Sequence, residues 1–204
     1  MGMKRTFLEA IEHRRSCYSL SATNPVSESD IISAIDRIIL STPSAYNSQS
    51  TRLVVLFGRH HTQLWEIVKN ALEEFVSPEA FTGVKEKIDS SFAAGCGTVL
   101  FYEDMAVIEQ LKEKYTTYAD KFDEYSEHTS AMHQFAVWTA LEDMELGASL
   151  QHYNPLIDTA VAHQRNISKE RRLIAQMPFG TPLSVTETKA QHLPLTIRRL
   201  VFSK

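Results

Sequence analysis

The chain has 204 residues, of which 43% are apolar and 23% charged, and its formal net charge is −4. That is the composition of a soluble globular protein with one sizeable core, expected here as a single domain over residues 1–204. The acidic balance excludes a general nucleic-acid binder, which needs a dense basic face to neutralise phosphates.

Cys17 and Cys96 belong to no C-x-x-C pair and have no histidines at zinc-finger spacing, so a reduced, cytoplasmic protein is expected. The N-terminal MGMKRTFLEAIEHRR lacks a long apolar core and a small-residue cleavage site, so it does not read as a signal peptide. No run approaches about 18 apolar residues, so no membrane span is expected.

In chain order, residues 5–14 place Phe7, Leu8 and Ile11 on one helical face, closed by Arg14 and Arg15. Ser27-Glu28-Ser29-Asp30 has the form of a helix cap. Ile31, Ile35, Ile38 and Ile39 then make an amphipathic helix that Pro43 ends. RLVVLFG, residues 52–58, is a β-branched run ended by Gly58, and so a strand. Leu64, Val68, Ala71, Leu72 and Phe75 mark a third helix.

GCGTVLFYED, residues 95–104, holds a second strand, apolar on both faces and so buried between layers. Residues 118–146 read as a helix. From Ala131 to Leu146 it is apolar nearly all round, which places it in a core or between subunits. Gly147 has the position of its C-cap and precedes the short strand GASLQHY. A further helix, the strand LIAQMPFG at 173–180, and RRLVFSK as a last strand or an arm complete an α+β pattern of helices covering a modest sheet.

No strand is followed by G-x-G-x-x-G, and Walker, H-E-x-x-H and G-x-S-x-G motifs are absent. The eight histidines suggest no metal cluster: His60-His61 reads as a turn, and His128 and His133 are five apart, off one helical face. Two segments carry more chemistry. Arg14 and Arg15 alone would complement a helix dipole in solvent. With Ser16 and Tyr18 they also offer the donors a phosphate needs. Residues 42–55, TPSAYNSQSTRLVV, collect Ser44, Asn47, Ser48 and Gln49 between a helix and a strand. This is either a polar turn or a set of amides for the edge of a heteroaromatic ring.

Together, Arg14-Arg15-Ser16 and Pro43-Ser44-Ala45-Tyr46-Asn47-Ser48-Gln49 resemble the flavin-dependent nitroreductase superfamily. There an R-R-S/T segment after the first helix is followed, before the first strand, by P-S-x-x-N-S-Q. The stretches FAAGCGTVLFYED, QFAVWTALEDMELGASLQHYNPLID and AQMPFG are similar to the branch named for fatty-acid repression in fungi, and the resemblance runs from about residue 6 to residue 202. It implies a mainly antiparallel sheet covered by helices and an intertwined homodimer with FMN in two clefts at the interface.

By position, Arg14 and Ser16 would meet the FMN phosphate and ribityl chain, and Arg15 would do so mainly through its backbone. Tyr18 stands where many relatives have a basic residue. Arg198, or Arg199, would close on the phosphate. Ser44, Asn47 and Gln49 would come from the other subunit to the pyrimidine and ribityl side. Gln151, His152 and Tyr153 would pass the flavin, with a backbone amide reaching N5. His152 reads as a structural hydrogen-bonding group rather than a catalyst. The implied activity is an FMN-dependent NAD(P)H oxidoreductase that reduces nitroaromatic, quinone or related small-molecule acceptors by ping-pong hydride transfer, with no catalytic side chain because flavin N5 carries the chemistry. The alternative is a flavin-holding redox-stress or lipid-regulatory protein whose reductase activity is incidental. A helical interaction module without a cofactor is a third reading.

Overall fold

The computed structural model describes residues 5–184 and 192–203. Helix α1 (Phe7–His13) starts at a capping box: Thr6 accepts from the Glu9 amide and the Glu9 carboxylate takes the Thr6 amide. After β1 (Leu20–Ser21), Ser27 caps α2 (Glu28–Ser41) by accepting from the Asp30 amide, and Thr42 precedes Pro43 at its end. A 3₁₀ turn (Ala45–Asn47) leads to β2 (Thr51–Phe57) and α3 (Gly58–Glu73).

Ser77 and Pro78 start α4 (Pro78–Lys87), which runs into a π-turn (Ile88–Phe92). Then come β3 (Gly97–Asp104), α5 (Met105–Lys114), a 3₁₀ turn (Thr116–Lys121) and the long α6 (Phe122–Asp143). The chain closes with β4 (Gly147–Ala148), α7 (Asp158–Arg165), β5 (Arg171–Pro182) and α8 (Leu195–Arg198).

The sheet has the order β1-β5-β3-β2, with β4 also on β5, and every pairing is antiparallel. Central β3 is buried from Gly97 to Glu103. Its alternate side chains feed two cores. Val99 and Phe101 pack with Ile31, Ile35, Val137 and Leu141 of α2 and α6. Leu100 and Tyr102 pack with Leu64, Trp65 and Val68 of α3, with Phe92, and with Val161 of α7. A strand apolar on both faces therefore lies between two helical layers, as its composition predicts. Among the described residues no helix is long and apolar enough to cross a membrane.

Several expectations need correction. Gly58 opens α3 with φ 51°, and His60-His61 lies in that helix rather than at a turn. Residues 78–87 and 105–114 are helices that the apolar periodicity did not reveal. On α1, Ala10 is buried, whereas Phe7 and Leu8 are 69% and 66% exposed. Helix α6 ends at Asp143 and is not buried on every face: Met132 and Phe135 face outward, while Ser130, His133 and Gln134 are buried. Residues 199–203 form no strand and lie exposed.

Gly147 is not the helix cap. Glu145 takes the left-handed conformation, φ 63°, and Gly147 sits in β4. A Cβ at Gly147 would lie 2.8 Å from both Cβ and Sγ of Cys17, so glycine lets the segment after α1 approach β4. Gly147→Ala overpacks this contact, at about 1–3 kcal/mol. The expected result is a lower Tm in thermal unfolding, and an unchanged Tm would show that the two segments are not held this closely.

His61 is buried, with Nδ1 2.8 Å from the Thr98 hydroxyl and Nε2 3.2 Å from the Ala93 carbonyl. The carbonyl can only accept, so Nε2 carries the proton in the neutral ring, and Thr98 donates to Nδ1 while accepting from Trp65 Nε1 at 3.1 Å. Burial is the main cause that pushes the His61 pKa below its ordinary value. The unfolded chain therefore binds a proton that the folded one refuses. The contribution of His61 is retained above pH ~6.5 and lost as pH falls below it. Thermal unfolding of wild type should weaken from pH 7.5 to 5 more steeply than that of His61→Asn; equal slopes would exclude His61 as a source.

Candidate functional site

Arg14 and Arg15 part company at the end of α1. The Arg14 amide donates to the Ala10 carbonyl as the helix cap. Arg15 Nη1 folds back to the carbonyls of Glu12, at 2.7 Å, and of Arg14, at 2.8 Å, which is how a cation settles on a helix C-terminus. The Arg14 guanidinium instead lies 4.3 Å from the centroid of the Trp138 ring. Its Nε is buried and has no hydrogen-bond partner among the described residues. Burial first, and the charge of Arg15 second, lower its pKa against the opposing pull of Glu142. That carboxylate is engaged with His13 at 2.5 Å.

Beyond Arg14 the chain runs along β4. Ser16 forms a parallel bridge with Ala148, and the Cys17 amide donates to the Ala148 carbonyl at 2.9 Å. The exposed Tyr18 ring stands 6.3 Å from Phe92. Burial raises the pKa of both thiols, that of Cys96 to about 11. Neither is poised as a thiolate nucleophile.

The second segment is a strained loop. Tyr46, Asn47 and Gln49 have φ of 55°, 52° and 48°. Left-handed backbone at non-glycine residues costs about 1–3 kcal/mol each and persists only where the surroundings enforce it. Here Ser44 Oγ accepts from the Gln49 amide at 3.0 Å, and the Tyr46 ring packs on Tyr115 and Phe122 at 4.7 and 5.2 Å. Beneath the loop, the fully buried Glu103 accepts from the hydroxyls of Ser50 (2.6 Å), Thr51 (2.6 Å) and Ser126 (2.9 Å). The Asn47 and Gln49 side chains are left exposed at the tip, without hydrogen bonds among the described residues.

The third segment follows β4. Gln151 pairs with Gln176 of β5 through both backbone hydrogen bonds, at 2.7 and 2.9 Å. The Tyr153 amide donates to Gln176 Oε1 at 2.7 Å, and its ring is set in the core against Trp65 and Phe92. Between them the amide of exposed His152 points away from β5 and has no acceptor among the described residues. Arg198 ends α8, and Arg199 follows in extended backbone. Neither side chain makes a hydrogen bond or ion pair with the described residues, so geometry within one chain does not choose between them.

One chain does not bring these segments together. Ala148 pairs with Phe179, which pairs with Gly97 at one end of β3, whereas Thr51 pairs with Glu103 at the other. Six residues of strand put the Arg14–Tyr18 and Ser44–Gln49 segments about 20 Å apart. They line separate clefts: Arg15 and Cys17 one, Ser44, Asn47 and Gln49 another, His152 a third. Trp138, Glu103 and His133 belong to these places but were not singled out from sequence as site residues. Glu103 alone carried a signal, as an acid at the end of a buried apolar run, which must find donors. No group of acidic, cysteine and histidine side chains among the described residues could hold a metal ion.

The chain matches the model of the nitroreductase family over residues 11–181. It is 37% identical over 184 residues to the HBN1 protein of Saccharomyces cerevisiae, covering 89% of this chain and 91% of that one. It is 32% identical over 191 residues to the nitroreductase FRM2 of the same yeast, covering 93% and 94%. Among solved structures, nitroreductase CinD from Lactococcus lactis in complex with nicotinic acid superposes with a TM-score of 0.88 at 37% identity, covering 97% of this chain and all of that one. The same protein in complex with 4-nitrophenol gives 0.86 at 36%. The two yeast relatives agree with the fatty-acid-repression branch, and the chain belongs to the nitroreductase family.

Proposed function

We propose that the protein is a cytoplasmic homodimer of single-domain chains that binds FMN at two interfacial sites and reduces nitroaromatic, quinone or related acceptors with NAD(P)H. The carrying observation is Arg14: a guanidinium over Trp138, with a buried Nε that has no hydrogen-bond partner among the described residues, beside Ser16. A buried donor is costly to leave unmade, and a phosphate oxygen supplies what it lacks. The donor set therefore fits FMN. When bound, the cofactor supplies the centre of a ping-pong hydride transfer from NAD(P)H to the acceptor.

The chain's own residues bind and orient. Arg14 and Ser16 hold the phosphate, with Arg15 in its segment and Tyr18 beside it. Arg198 is the candidate to close over the phosphate, with Arg199 its alternative. The His152 amide, left open between the engaged amides of Gln151 and Tyr153, is the one able to donate to flavin N5. Ser44, Asn47 and Gln49 lie about 20 Å from Arg14 along the sheet, which supports their serving the partner's cofactor.

Exposed apolar side chains support the dimer. Phe7, Leu8, Leu40, Met132 and Phe135 lie on the surface of one chain, and Leu193, Leu195, Ile197, Leu200, Val201 and Phe202 along the C-terminal arm are 63–93% exposed. Apolar area of this extent is what a partner covers. A 36% identical protein solved with 4-nitrophenol supports a nitroaromatic acceptor. The free thiols of Cys17 and Cys96 suit a reducing compartment.

Mass spectrometry of cofactor released from purified protein tests the reading: FMN is expected, and FAD as the dominant species would overturn it. The two-chain site is tested by complementation. One variant carries Arg14→Ala and Arg198→Ala, the other Ser44→Ala and Asn47→Ala, so each homodimer has two damaged sites. A mixed dimer has one doubly damaged site and one intact site. Random reassembly makes about half the dimers mixed and leaves about a quarter of all sites intact under twofold symmetry. NAD(P)H-dependent reduction should rise on mixing towards that fraction of wild type. Confirmed subunit exchange with no rise would mean that each site lies within one chain.

A further inference from the structure

The cleft before the Ser44–Gln49 loop contains a group used by neither the cores nor the phosphate seat. His133 of α6 is 4% exposed and lines this cleft, of about 460 Å³, with Ser44, Asn47 and Gln49. Its Nδ1 lies 2.9 Å from the Thr129 carbonyl. A carbonyl only accepts, so Nδ1 carries the proton, and in the neutral ring Nε2 is an acceptor. Among the described residues Nε2 has no donor. On the same helix His133 is buried, although a histidine is less often buried than an apolar residue. Among the described residues no acidic side chain lines the cleft; Arg52 and Arg171 do, and Arg52 is paired with Asp104 at 3.1 Å.

An acceptor and two unengaged side-chain amides lining one cleft offer the groups that one edge of a flavin ring needs. The pyrimidine edge of a flavin presents a carbonyl oxygen, N3–H and a second carbonyl oxygen, that is, acceptor, donor, acceptor. Asn47 and Gln49 can each donate from an amide nitrogen, and His133 accepts. We propose that His133 is a cofactor-contacting residue whose Nε2 accepts the N3–H hydrogen bond of the partner subunit's FMN, with the amides of Asn47 and Gln49 on the flanking carbonyl oxygens. This deepens the two-chain reading above and rests on it. The Thr129 carbonyl holds the neutral ring in the Nδ1–H tautomer, which leaves Nε2 as the acceptor.

The test is titration of apoprotein with FMN and with 3-methyl-FMN, whose N3 carries a methyl group in place of hydrogen. Wild type should prefer FMN by about tenfold or more, the value of a buried hydrogen bond. His133→Ala should bind FMN more weakly and lose the preference, because alanine removes the acceptor and makes room for the methyl group. His133→Gln, which carries an amide oxygen at similar reach, should restore it. Equal affinity of wild type for the two cofactors overturns the proposal while leaving FMN binding intact, and does so whether or not the variants fold. A preference that survives in a folded His133→Ala also overturns it. So does a change confined to the KM for NAD(P)H, which would assign His133 to the nicotinamide. Wild type that binds neither cofactor would overturn both this proposal and the reading on which it rests.

Discussion

The pairing of β3 with β2 on one side and β5 on the other is the constraint on which the rest depends. Seven consecutive residues of β3 are buried, so its register cannot slip without turning one core into the other. That register fixes what stands at each end. At the Gly97 end, β5 presents β4, and β4 receives the Arg14–Cys17 segment through Ser16 and Cys17. At the Glu103 end, the buried carboxylate holds Ser50 and Thr51, and so the base of the Ser44–Gln49 loop. The distance between the two chemically rich segments is a property of strand length, not of the loops.

The sequence was legible where one element answers to one local rule. The cap at Ser27, the helix end before Pro43, the apolar strands and the middle of the long helix are where periodicity and punctuation put them. It was illegible where tertiary packing overrides pattern. Helices α4 and α5 bury few residues each, Ile108 alone on α5 and none on α4, so they show weak apolar periodicity. Gly147 has the form of a cap because glycine often ends helices, yet here it is needed for a close approach by Cys17, a contact between residues 130 positions apart that no local rule contains. On α6, composition suggested burial in a core or between subunits, but within the chain Val137 and Leu141 go inward together with Ser130, His133 and Gln134, while Met132 and Phe135 face outward. Of the site, the motif positions were readable. Of their companions, Trp138 and His133 carried no signal, and Glu103 showed only as an acid ending a buried apolar run, because the groups around Trp138 and Glu103 come from segments distant in sequence.

The two adjacent arginines show how little a motif says by itself. The same residue type, one position apart, gives a satisfied helix terminus at Arg15 and an unsatisfied cation at Arg14. What differs is the surface beneath: Trp138 offers Arg14 a π face and its Nε is buried, and among the described residues it forms no ion pair. Arginine suits such a place better than lysine, since a planar guanidinium can stack and still present N–H groups at its edge. A lysine there would have to choose between the ring and an anion.

Strain and burial point the same way at the other end of the sheet. Three left-handed residues within four positions, 46 to 49, are not required by the chain reversal, since Asn47 alone among them is a residue that tolerates this conformation readily. The loop is held there by the tyrosine and phenylalanine rings against Tyr46 and by three hydroxyls converging on Glu103. Those contacts lie beneath the loop or to its side, so the loop backbone is held while the side chains of Asn47 and Gln49 remain outside. A backbone fixed in advance removes part of the entropy cost of any binding there, at the expense of fold stability. A relaxed loop would have stabilised the chain more and recognised less.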